Sequence, residues 1–203
     1  MEKIDFNILR DKIYKDACEH GLHENELSNK HFLCLVISQL MKAVESYRGN
    51  GHNKRANVEW FNKRISTSRI YKGLDPEISK ERGYEVIYNE TIKDSIEEKL
   101  ADSVIRLLDL AGLRNINIGL ATKDINIHID EMAEACKDET FTETVYAIST
   151  IPARYDGLYD FSTIINDMVI SIFGFAKYLG IDVVWHIERK MEYNQSREKI
   201  EKK

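Results

Sequence analysis

Apolar residues recur along this chain mainly at helical intervals. Near the N-terminus Ile4, Ile8, Leu9, Ile13 and Ala17 fall on one side of a 3.6-residue repeat that Gly21 ends, which predicts a helix over about 3–20. Ser28 or Asn29 is placed to cap a second helix over 29–48, and Gly49-Asn50-Gly51 stops it. That stretch, HFLCLVISQLMKAVESY, is apolar around most of its circumference. Its one polar stripe carries Gln39, Lys42 and Glu45 at three-residue spacing. A helix enclosed on nearly all sides, with polar groups confined to a narrow stripe, is a candidate site element.

Periodicity then weakens. Residues 50–90 read as an insertion with one short helical piece around Val58–Ile65 and a loop near Gly73–Pro76. It returns over 95–112, where Ile96, Leu100, Val104, Leu107, Leu108 and Ala111 form an apolar face. Asp94 or Ser95 caps this helix, and Ser95 with Glu98 has capping-box spacing, which makes Glu98 a cap partner. Its polar stripe is Lys99, Asp102, Arg106 and Asp109. Residues 113–157 form a second irregular region with helices expected near 127–136 and 141–148. A helix over 163–179 ends at Gly180, and Asp182 caps a last one over 183–199. The pattern predicts an all-α fold with a four-helix-bundle core and two insertions, in a single domain over 1–203.

Composition supports helices and narrows the partners. Two prolines in 203 residues leave few helix breakers. A net charge of -5 argues against nucleic acid and acidic membranes as partners, since both call for a basic surface. The three cysteines, Cys18, Cys34 and Cys136, lie far apart, so neither a disulfide framework nor a zinc knuckle is indicated. The first residues are charged throughout, and no stretch approaches the roughly 20 apolar residues of a membrane span. A cytoplasmic protein is expected.

Three segments carry a family resemblance. FLCLVISQLMKAVESYR (32–48) is similar to a helix in which an apolar run leads into two glutamates three residues apart. EEKLADSVIRLLDLAG (97–112) is similar to an E-x-x-D helix with an apolar continuation. LGIDVVWHIERKMEYNQSR (179–197) is similar to a closing helix with a K-x-x-Y-N-x-x-R pattern. In this order they resemble the MazG-like nucleotide pyrophosphohydrolases. The resemblance implies an all-α bundle that associates as a dimer or dimer of dimers. It also implies Mg2+-dependent hydrolysis of nucleoside triphosphates to monophosphate and pyrophosphate, with acids on facing helices holding the metal. Lys190, Tyr193, Asn194 and Arg197 would form the substrate side.

The acidic pattern is broken. The two glutamate positions of the first helix hold Gln39 and Lys42, and the E-x-x-D positions hold Lys99 and Asp102. Only Asp102 matches, and two ammonium groups would repel Mg2+. Glu45 and Asp109 are the neighbours available to join Asp102 as a substitute catalytic and metal set. Weak or absent turnover is therefore expected. The alternatives are a non-catalytic binder, with Lys42, Lys99, Lys190 and Arg197 taking phosphate directly, or a structural bundle in which these charges merely pair. Cys18, His20, His23 and His31 have no spacing that fixes a metal geometry, and His186 is expected to pack with Trp185 at the bundle surface.

Overall fold

In a computed structural model the described residues are 4–49, 53–69, 71, 79–119 and 124–201. They form helices and no strand. The helices are α1 (Phe6–Glu19), α2 (Asn29–Arg48), α3 (Val58–Thr67), α4 (Lys80–Thr91), α5 (Ile96–Leu113), α6 (Ile125–Ala135), α7 (Phe141–Tyr155), α8 (Phe161–Tyr178) and α9 (Val183–Glu201), with a 3-10 turn at Cys136–Asp138. Short polar side chains set most of the starts. Asp5, Ser28, Asn57, Ser79, Ser95, Thr140 and Asp160 each accept a hydrogen bond from an amide of the first turn, satisfying donors that a helix leaves open. Asp182 does the same for the Trp185 amide at 3.1 Å.

α5 is the central helix. It packs against α1, α2, α8 and α9, and most of its circumference is buried. Gly112 admits α1 closely: a Cβ there would lie 2.4 Å from Cβ of Tyr14. Leu100, Val104, Leu107 and Leu108 are fully enclosed with Val36 and Leu40 of α2 and Ile165, Val169 and Ile172 of α8. Each such side chain contributes about 1.5–3 kcal/mol through burial.

Where they are described, the two segments expected as insertions are largely helical. Residues 113–157 supply α6 and α7, which cover α8, and α7 also reaches α2. α7 runs seven residues past the expected end at 148 and carries Pro152 within its last turns, where the proline leaves one backbone hydrogen bond unmade. Residues 50–90 supply α3, where expected, and α4, which was not. α4 packs on α9 through a second, mostly aromatic core of Phe61, Tyr84, Ile87, Tyr88, Ile92 and Tyr193. The loop at 73–76 lies outside the described residues. Among the described residues no single helix is long and apolar enough to cross a membrane.

Candidate functional site

Where the end of α2 meets the start of α5, a cleft of about 470 Å³ is lined by Lys42, Glu45, Ser46, Gly49, Lys54, Asp94 and Lys99. Helical spacing puts Lys42, Glu45 and Ser46 on one side of α2. Backbone bonds then place the remaining walls. The Lys54 amide donates to Ser46 O at 3.0 Å, and Lys54 O accepts from the Ile96 amide at 3.0 Å. Asp94 turns the chain into α5 with φ 61°, a left-handed conformation that Asp tolerates better than most residues. Its carbonyl oxygen lies 2.9 Å from Ser46 Oγ.

Behind the cleft sits Glu98, with only 1% of its side chain exposed. Lys190 Nζ donates to its Oε1 at 2.6 Å, and Lys99 Nζ to its Oε2 at 2.9 Å. The Asp94 amide donates to Oε2 at 2.7 Å and Tyr88 OH to Oε1 at 3.4 Å. Burial works to raise the Glu98 pKa, but Lys190 and Lys99 outweigh it and hold the carboxyl below its ordinary value. Lys99 Nζ also donates to Asp94 Oδ1 at 2.8 Å. Burial opposes the Lys99 charge, yet the bonds to Asp94 and Glu98 prevail and its pKa lies above the lysine norm. Only half of the expected capping box forms. Ser95 Oγ takes the Glu98 amide at 3.1 Å, but the Ser95 amide is already bonded to Ile92 O, so Glu98 reaches the Asp94 amide instead.

The neighbouring Glu97 is buried as well. It accepts from Arg55 Nε, and from the Ala56 amide at 2.9 Å, while Arg55 Nη2 donates to Leu179 O at 3.3 Å. His186 of α9 lies close to both glutamates. It packs edge-on against Trp185 at 4.7 Å, but it is buried, at 3% exposure, instead of lying at the surface. Its Nδ1 has no hydrogen-bond partner. Burial drives its pKa down to about 4, against the opposing pull of Glu97 and Asp182.

The other residues singled out in the sequence are distributed more widely. Gln39 is buried in α2, while Lys42 and Glu45 are exposed on the cleft. Asp102 Oδ2 is 3.7 Å from Arg106 Nε. Asp109 lies two turns further on and meets His23 Nε2 at 2.8 Å. Burial raises the Asp109 pKa despite that contact. Glu45 is thus on the cleft and Asp109 is bonded to His23 near the far end of α5. On α9, Lys190 is bound to Glu98 and Tyr193 is buried, stacked on Tyr88 at 4.2 Å with its OH donating to Asn89 Oδ1 at 3.0 Å. Asn194 is half-buried and Arg197 exposed. His20 pairs with Asp16 at 3.6 Å, and His31 packs against Phe32. Cys18 is exposed.

The positions aligned with the acidic pattern do not fit a magnesium ion. An amide, two protonated amines and one carboxylate provide too few anionic oxygens for a hard cation. Among the described residues no group of three or more His, Cys, Asp or Glu side chains is arranged to hold a metal. What the cleft offers instead is three ammonium groups, of Lys42, Lys54 and Lys99, beside the carboxylates of Glu45 and Asp94. Residues missed in the sequence are Lys54, Arg55 and Tyr88, all from the segment before α5, while Asp94 and Glu98 were read only as a cap candidate and a cap partner; the cap is Ser95. The consecutive glutamates 97 and 98 at a helix start were the available signal. Comparison with protein-family models, curated proteins and solved structures finds no match.

Proposed function

We propose that this chain is a MazG-like helical protein whose α2–α5 cleft binds a phosphate-bearing small molecule, a nucleotide above all, with little or no pyrophosphohydrolase turnover. One observation carries the reading. Lys42 and Lys54 line the cleft yet form no ion pair among the described residues. Ammonium groups left over at the mouth of a cavity are suited to charge-assisted hydrogen bonds with phosphate oxygens. The order of the three sequence segments supports the family part, and the lysines at its acidic positions support the loss of metal chemistry. Lys190, a substrate-side residue by resemblance, has a different task here, because its ammonium group is committed to Glu98.

Calorimetry with a panel of nucleoside triphosphates and inorganic pyrophosphate, in EDTA, tests the proposal. Binding is expected to survive EDTA, and the double variant Lys42→Met/Lys54→Met to weaken it about tenfold through the loss of two charge-assisted contacts. Absence of binding, with or without magnesium, would overturn the reading. Robust pyrophosphate release that Asp102→Ala abolishes would overturn its catalytic half.

A further inference from the structure

Lys99 is held by two carboxylates of unequal standing, and the difference bears on how the cleft is controlled. Glu98 is enclosed and held from four sides by Lys99, Lys190, Tyr88 and the Asp94 amide, so it cannot leave without stranding the Lys190 ammonium group. The Asp94 carboxylate is 57% exposed and lies on the cleft wall, with its Oδ1 on Lys99. The Asp94 backbone, by contrast, is anchored independently by the Glu98 carboxylate and by Ser46 Oγ. The side chain can therefore rotate into solvent while the turn stays in place.

We propose that Asp94 is a built-in competitor for the cleft: its carboxylate occupies on Lys99 the place that a ligand phosphate takes. The inference rests on the phosphate-binding reading of this cleft. An entering phosphate exchanges for the carboxylate on Lys99 and can reach Lys42 and Lys54 directly, whereas the Asp94 carboxylate hydrogen-bonds to neither and acts on Lys54 only through its field. A ligand carrying two or more phosphates can bridge these lysines, whereas a lone carboxylate merely reproduces what Asp94 already supplies. The arrangement thus sets a charge threshold that selects polyphosphates over singly charged metabolites. The hydrogen bond from Lys99 keeps the Asp94 carboxyl below its ordinary pKa, so the competitor is anionic at neutral pH.

The test is calorimetry of inorganic pyrophosphate, and separately of a nucleoside triphosphate, with the parent chain and with Asp94→Asn, all in EDTA. Removing the competing charge from an exposed pair is expected to tighten binding about fivefold, while asparagine still suits the left-handed turn. Asp94→Gly, which also fits that conformation, serves as the second variant if the asparagine protein fails to fold. Tighter binding of both probes supports recognition of phosphate alone. Tighter binding of the triphosphate only supports displacement by a nucleotide whose remaining atoms add contacts. Equal affinity in parent and variants overturns the competitor role and leaves the phosphate-binding reading standing. Absence of binding in every protein overturns both.

Discussion

The charged residues of α5 lie in two different environments. At its start, Glu97 and Glu98 are met by Arg55, Lys99 and Lys190, and Lys42 and Lys54 remain over on the adjoining cleft. Near its end, Asp109 meets His23, and the rings of Tyr14 and Phe32 lie against the imidazole at 5.4 and 6.0 Å. Both ends bury carboxylates, and the first joins surplus ammonium groups to the open cleft. At the second the carboxylate is spent on an imidazole, whose buried Nδ1 has no hydrogen-bond partner. Charge on a helix face therefore does not tell the two ends apart. Charge left over beside a cavity does.

The strongest way to break this contrast is Glu98→Ala. Two largely buried ammonium groups would lose their shared counter-ion, and chemical denaturation should show a loss of about 3–5 kcal/mol. A loss below about 1 kcal/mol would mean that the network does not organise the start of α5. Acid should reveal the same dependence in the parent protein. Because the folded Glu98 pKa is depressed, its stabilisation is present above the unfolded value of 4.5 and is lost as pH falls through the folded value.

His186 sharpens the comparison by placing acid sensitivity at the cleft end. Its folded pKa of about 4 lies below the ordinary 6.5, so the folded state binds fewer protons than the unfolded chain between these values. Stability from the neutral imidazole is complete above pH 6.5 and declines as pH falls towards 4, by on the order of 3 kcal/mol. Glu97, Glu98, Asp182 and Arg55 face this group and modulate the window. Unfolding curves of His186→Phe should be flatter over that range than those of the parent. An unchanged slope would place the titrating group elsewhere.

The smallest effect is expected between the two ends. Asp102→Asn removes a carboxylate whose cationic neighbour, Arg106, lies 3.7 Å away and is 37% exposed. The change should cost about 0.2–1 kcal/mol. A larger loss in unfolding experiments would show that Asp102 has a heavier structural task than its geometry indicates.

Much of the helical frame was legible in the residue pattern. α2 has the expected bounds, α5 departs by one residue at each end, and α9 begins where expected, because capping residues and glycines bracket regular apolar repeats. α4 escaped notice because its buried residues are Gly83, Tyr84, Ile87, Tyr88 and Thr91, and a single aliphatic side chain among them leaves little of the pattern read from aliphatic residues. The site was legible in part. Lys42, Glu45 and Lys99 do share a cleft, as helical spacing on two neighbouring helices allows. Lys54 and Asp94 were hidden in non-helical segments whose placement depends on backbone bonds to α2 and α5. Lys190 and Glu98 lie 92 positions apart, and spacing along one helix cannot reveal such a pair.

That long separation has a consequence for the order in which the protein is assembled. During synthesis α2, the turn at Asp94 and α5 emerge well before Lys190, so a chain lacking α9 holds Glu98 with only one of its two lysines. Contacts so distant in sequence close late, after the cost of ordering the intervening chain has been met. The cleft is therefore bordered early but becomes electrically complete only when the last helix docks, and a ribosome-bound chain stalled before α9 would carry a different charge balance at its mouth.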